Sequence, residues 1–262
     1  MAMGDTYPRL GGVARRLIDL RVHDAGHCVG WLEDDFHHFG VTIAHDSATI
    51  TKVSVRSVRY PYSACPMADR ALDGLISKPL VLRATDVGLM VAMRIQCTHM
   101  FDLAGLVIAH AAAGRQHRRY EAVTTDREIV GWEPGRRRLL GPGRAMLARD
   151  GVPVLEWSID HRMITGPHTW RGQSLTAGFR ERTEAMPIED AECATVLRRA
   201  VMVAGGRSLD PDLFATARDR GQSGVCHSYL EENRDTAVRI VGSTLNYEAS
   251  IDGMLSHLDE VP

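Results

Sequence analysis

The sequence lacks the features that place a chain in several large functional classes. No apolar run approaches the ~20 residues a membrane span requires. The N-terminus, with Asp5, Pro8 and the Gly11-Gly12 pair, has no apolar core of the kind a secretory signal carries. There is no Gly-x-Gly-x-x-Gly, no Walker-type loop and no Gly-x-Ser-x-Gly elbow, which argues against nucleotide-dependent and α/β-hydrolase chemistry. No Cys-x-x-Cys pair occurs, which excludes a zinc ribbon. Charge of one sign is also lacking: the net value is -2 and the pI is near 6.6. No whole-protein field therefore draws the chain to nucleic acid or to an anionic membrane. The run Arg136-Arg137-Arg138 reads as a solvated loop. Five cysteines, an odd number with no disulfide-type array, fit a reducing cytoplasm.

What is present describes a globular chain. The 44% hydrophobic and 24% charged fractions are ordinary, and 262 residues can bury a sizeable core. Twelve histidines are many, and several fall early in the chain, which tilts the reading towards metal chemistry.

The pattern predicts an α+β fold. A lead-in over 1–16 precedes two hairpins, one turning at Ala25-Gly26 and one at His45-Asp46-Ser47. A helix is expected over Ala68–Ile76, a short strand near Leu80–Leu82, and a helix from Thr98, its N-cap, to the Ala111–Ala113 stretch. Beyond a boundary near residue 115 the texture changes. Glu121–Val130 and Arg144–Met163 are β-like, with turns at Pro134-Gly135, Gly141–Gly143 and Asp150-Gly151. Helices follow over Ile188–Ala204 and Pro211–Arg220, and the tail from Gly224 is irregular. The domains are thus a unit over 17–114 and an extension over 115–262 packed on it.

The candidate chemistry centres on Met93–His110. Cys97 ends a predicted strand and starts a helix, on which His99, Asp102, Leu103, Leu106 and His110 share one face. A helix N-terminus favours the thiolate, the form that binds metal and attacks electrophiles. Cys65, in Tyr62-Ser63-Ala64-Cys65-Pro66, stands in a similar place. His37 and His38 open the strand that pairs with the one leading to Cys65. Two thiolates, an imidazole and Asp102 match the preferences of one Zn²⁺ or iron ion. His99 reads either as a ligand or as a group orienting one, and Asp102, one turn along, fixes its tautomer or moves protons. Buried structural cysteines with a capping histidine are the alternative on spacing alone. Cys226-His227 reads as a tail loop, and Cys28 and Cys193 as structural.

The order of strand, hairpin, Cys65-Pro66-Met67-Ala68 and Arg94-Ile95-Gln96-Cys97-Thr98 resembles the iron–sulfur cluster assembly scaffold fold, the NifU/SufU-like group. That family takes its ligands from a Cys-Gly-Asp loop, a Cys-x-x-x-Ala-Ser helix start and an Arg-Ile-Lys-Cys-Ala helix start. The resemblance implies a scaffold-like antiparallel sheet with packed helices, and Cys65 and Cys97 as the second and third ligands. Phe36-His37-His38-Phe39 stands where the first ligand loop would be, with histidine for cysteine, which weighs against cluster uptake. The stretch is also similar to an uncharacterised bacterial family marked by a strand-opening histidine, a Pro-x-x-Cys-Pro helix start and a Cys-Thr-His helix start. His37, Cys65, Cys97 and His99 fit those positions. Both resemblances cover about 17–113.

The expected metal ligands are therefore His37, Cys65 and Cys97, with His99 and Asp102 as catalytic groups. The β-rich extension with its C-terminal helices is larger than a scaffold needs and suits an enclosed pocket. The expected activity is that of a metal-dependent enzyme on a small acyl substrate, a thioester or other sulfur-bearing acyl group, by hydrolysis or by acyl or sulfur transfer. No nucleic-acid or membrane partner is expected, and a homodimer is compatible with the pattern. A sulfur carrier or iron–sulfur scaffold is the non-enzymatic alternative, and an interaction module with a structural metal is a third.

Overall fold

The computed structural model describes residues 7–133, 137–221, 224 and 226–262. Two compact units divide the chain. The first comprises Leu17–Arg119, Asp212–Leu245 and Gly253–Pro262, and the second Met1–Arg16, Tyr120–Pro211 and Asn246–Asp252. The break expected near residue 115 falls at Arg119/Tyr120. Most of the last fifty residues group with the first unit, not with the β-rich extension.

In the first unit the two expected hairpins form. Strand β1 (Val13–Asp24) is followed by β2 (His27–Asp34), β3 (His38–His45) and β4 (Ile50–Arg59), with β2, β3 and β4 paired antiparallel in chain order. Short helix α1 (Val87–Met90) precedes α2 (Thr98–Ala112), which packs on β2 and β3. That approach depends on Gly30 of β2: a Cβ there would stand 2.5 Å from Val107 Cγ2. On α2, a Cβ at Gly105 would lie 2.4 Å from the Ala84 carbonyl, so the turn at Ala84–Asp86 can touch the helix only through a glycine.

Strands β2 and β3 are buried on both faces, and the second cover is the end of the chain. Trp31 Nε1 donates to the Glu260 carbonyl at 3.2 Å, and Thr42 Oγ1 to that of Pro262 at 3.1 Å. The His257 ring stacks on Trp31. Arg56 and Glu260 form an ion pair beside them. Each large side chain buried this way contributes on the order of 2 kcal/mol.

Local expectations fail where backbone donors are used elsewhere. Cys97 is not delivered by a strand: Met93–Ile95 is a 3-10 turn, and Cys97 itself, rather than Thr98, is the N-cap of α2. Cys65–Leu75 is a 3-10 helix entered through Pro66. No strand forms near Leu80–Leu82; Pro79, which has no N–H to give a ladder, makes only a single bridge to Thr49. The helix expected over Pro211–Arg220 is confined to a 3-10 turn at Pro211–Leu213. Its amides are bound to the tail instead: Ala217 N donates to Ala237 O, and Arg218 N to Arg234 O.

The second unit is an antiparallel meander with helices. Strands β5 (His117–Thr125), β8 (Gly143–Arg149), β9 (Val152–Asp160) and β10 (Met163–Gly166) pair in that order, and β6 (Ile129–Glu133) with β7 (Arg137–Leu140) make a separate hairpin. The β8–β9 turn is Asp150-Gly151, both with positive φ, as the sequence pattern suggests. The turn expected at Pro134-Gly135, and Arg136 of the basic run, lie outside the described residues. Arg138 does not dangle in solvent: it donates to Gly205 O and Ser208 Oγ. Helix α3 (Phe179–Glu184) packs against α4 (Ile188–Ala204), which lies on β8 and β9; Trp157, Trp170 and Phe179 form an aromatic cluster. The fold is α+β, built on antiparallel strands. Among the described residues no helix is long and apolar enough to cross a membrane.

Candidate functional site

The turn from β2 to β3 is built by one carboxylate. Asp34 Oδ1 accepts from the Phe36 and His37 amides, each at 2.9 Å, and lies 2.9 Å from His37 Nδ1. The Asp34 amide donates back to the His37 carbonyl at 2.9 Å. Aspartate suits such a turn because its short side chain caps backbone two and three residues ahead. The carboxylate contacts the His37 ring as well as the loop, so ring and turn are held together.

Helix α2 brings the second imidazole. His99 lies in its first turn, and its ring stacks on that of His37 with centroids 3.7 Å apart and planes 25° from parallel. Phe39 flanks both rings, at 5.8 Å from His37 and 6.5 Å from His99. Exposure is 2% for Asp34, 8% for His37 and 9% for His99. Each offers one ligand atom, and these atoms all lie within 4.8 Å of one another; among the described residues this is the one group of three or more acidic, histidine or cysteine side chains so placed.

The donor set fits a divalent cation. Two imidazoles and a carboxylate are a common protein ligand set for catalytic zinc and for non-haem iron, and leave positions open for substrate or water. Ligand atoms bound at ~2.0–2.2 Å sit ~3 Å from one another. Compared with known proteins, the chain matches no protein-family model and no curated protein. The site is accordingly read from its own geometry.

Of the residues expected to carry the chemistry, His37 and His99 come together, and Asp34 joins them. The sequence reading passed over Asp34, although Asp34-x-x-His37 directly after a strand has the spacing of a side-chain-capped turn. Cys65 and Cys97 are not in the converging group. They belong to a different neighbourhood of the first unit, in which Cys97 is within electrostatic reach of both Cys65 and Cys226. Cys65 Sγ lies 3.3 Å from Ser228 Oγ, and Cys226 packs against the cluster that holds Cys65, Tyr62 and Tyr229. His227 anchors this part of the tail, its amide donating to Gln96 O at 3.0 Å and its Nδ1 lying 3.1 Å from Ile95 O.

The expectation that the helix start favours a thiolate is reversed. Burial pushes the Cys97 thiol upward, Cys65 and Cys226 add to the shift, and the His99 and Met100 amides oppose it without prevailing. Burial likewise raises Cys65, although Ser228 pulls the other way. Desolvation of an anion in an apolar setting outweighs a partial helix charge. Cys28 is pushed up to about 11 by burial, and Cys193 is buried, so both fit the structural reading. Asp102, half-buried one turn beyond His99, stands outside the converging group. His161 lies in the turn after β9, with φ 50°, and its Nδ1 is 3.7 Å from Asp160 Oδ2.

Helix α2 also carries a histidine with no exposed surface. Burial pushes His110 from 6.5 down to about 4, with the charges of Arg115, Arg118 and His117 acting in the same direction and the Gln116 backbone opposing. As pH falls below about 6.5 the unfolded chain takes up a proton there that the folded chain refuses until about 4. Stability present above that window is lost through it, by roughly 3 kcal/mol in all. Urea unfolding from pH 7 to 4 should show the wild type losing about that much more than His110→Gln. Parallel pH profiles for the two proteins would count against this account.

Proposed function

We propose that the first unit carries a metal-dependent enzyme centre, with one divalent ion, zinc or iron, held by Asp34, His37 and His99. The observation that carries this reading is the convergence of three buried ligand atoms within 4.8 Å. A bound ion of this kind polarises an acyl carbonyl or lowers the pKa of a bound water. Asp34 also shapes the turn that presents His37, through the Phe36 and His37 amides. Phe39 keeps the site apolar on one side. Asp102, on the same helix as His99, is the candidate for moving protons.

The substrate class we propose is an acyl thioester or another sulfur-bearing acyl group. Its support is the resemblance of residues 17–113 to a fold whose relatives handle sulfur. The test is metal and labile sulfide content of freshly purified protein, followed by a panel of acyl thioesters with and without a chelator. One equivalent of zinc or iron without sulfide, and turnover abolished by chelation and restored by the metal, are expected. Turnover that survives complete metal removal would sink the reading.

One observation favours a second reading, a sulfur carrier or cluster scaffold: Cys65, Cys97 and Cys226 share one neighbourhood. Iron with stoichiometric sulfide, or a persulfide on Cys65 or Cys97 after incubation with a cysteine desulfurase, would move the assignment there. Burial that keeps both thiols protonated weighs against it.

A further inference from the structure

The turn that delivers Asp34 and His37 is gripped from behind by one guanidinium. Arg59, the last residue of β4, points under the turn with its side chain only 13% exposed. Its NH2 donates to the Asp34 carbonyl at 2.5 Å and lies 3.4 Å from that of His37; its NH1 donates to the Asp35 carbonyl at 2.7 Å. Three carbonyls of a four-residue turn thus converge on one planar group. Glu33, buried at the end of β2, accepts from Arg59 NH2 at 2.9 Å through Oε1 and from the Leu255 amide through Oε2. Arg59 NH1 also reaches the Ser243 carbonyl at 3.2 Å, and the Leu245 amide donates to the Asp35 carbonyl at 2.8 Å.

We infer that Arg59 is the positioning residue of the proposed metal centre, setting through the turn backbone where the Asp34 carboxylate and the His37 ring stand. The inference rests on the metal reading above. Two features of the arrangement carry it. Only a guanidinium has the rigid fork of donors to hold several carbonyls at once, whereas an ammonium acts as a point charge. A bare cation beside a cation site would repel the ion, and the buried Glu33 carboxylate paired with Arg59 offsets that charge. Segments from late in the chain are tied to the same turn, so the geometry of the centre depends on residues some 200 positions away in sequence.

Arg59→Met, Arg59→Lys and Glu33→Gln test the inference, with Co²⁺ as the probe read by titration and by the visible spectrum of the bound ion. Arg59→Met should lower Co²⁺ affinity by about 10- to 100-fold, the range for outer-shell partners of metal ligands. Its spectrum should also change in shape, a readout that a purely structural loss of stability would not move. Arg59→Lys should recover only part of the affinity, because an ammonium keeps the charge but lacks the planar fork that reaches several carbonyls at once. If Arg59→Met does not fold, Arg59→Lys and Glu33→Gln carry the same test. Folded Arg59 variants with wild-type affinity and spectrum would overturn the inference while leaving the metal centre standing, provided His37→Ala and His99→Ala abolish binding. A wild type that takes up no Co²⁺ would remove both.

Discussion

Replacing His37 or His99 by alanine should each abolish uptake of the proposed ion, with a loss of affinity exceeding about 100-fold, beyond what outer-shell partners supply. Each imidazole is one of three converging donors, and a two-donor remnant cannot hold a divalent ion against water or buffer. Asp34→Asn separates the two roles of the carboxylate. The amide oxygen can still accept from the Phe36 and His37 amides, so the turn persists, but the charge opposite the ion is gone. An intermediate loss of about 10- to 100-fold is expected there. Asp34→Ala, which removes both functions, should lose binding completely and loosen the turn. Metal content after dialysis against a competing chelator is the measurement. Cys65→Ser and Cys97→Ser are the decisive controls. Retained metal in both confines the ligands to Asp34, His37 and His99. Metal lost in the serine variants and kept in His99→Ala would restore the thiol set expected from the sequence and dismiss the convergent group.

The first unit was legible in sequence where the pattern is local. Alternation and turn residues placed both hairpins, and the apolar periodicity with Gly114 placed α2 to within a residue at each end. The Ile188–Ala204 helix was legible for the same reason, bounded by Pro187 and Gly205. What escaped depends on contacts far apart in the chain. Pro211–Arg220 has helical composition, but its amides are claimed by Arg234 and Ala237, which no window of ten residues contains. The site followed the same division. His37 and His99 stood out by residue type, whereas Asp34 reads as an ordinary turn former until α2 brings His99 beside the His37 ring. For the cysteines, position was legible and electrostatics was not. Helix-start placement of Cys97 was correct, but the burial that raises its thiol is a property of the packed unit.

The second unit offers the largest expected stability effect, at Arg207. Its side chain is 1% exposed and forms a two-pronged pair with Asp126, Nε to Oδ1 at 2.6 Å and NH2 to Oδ2 at 3.0 Å. NH1 donates to Asn246 Oδ1 at 3.1 Å, and NH2 lies 3.4 Å from Glu248 Oε2. The backbone joins in, with Arg9 N donating to the Arg207 carbonyl and Asp126 N to that of Gly12. One guanidinium therefore ties together the end of α4, the loop after β5, residues 246–248 and the segment before β1. Arg207→Met leaves the Asp126 carboxylate buried without its counter-charge. Breaking one side of a buried pair costs about 3–5 kcal/mol, far more than the pair gains over an apolar replacement. Arg207→Lys should cost less, because an ammonium keeps the charge but cannot meet both Asp126 oxygens at once. The double change Arg207→Met with Asp126→Leu should recover much of the loss, since no buried charge is then left unpaired. Urea unfolding of the three variants measures the order Arg207→Met, then Arg207→Lys, then the double variant, from most to least destabilised. A cost below about 1 kcal/mol for Arg207→Met would place Arg207 with surface ion pairs and remove it as the tie of this unit.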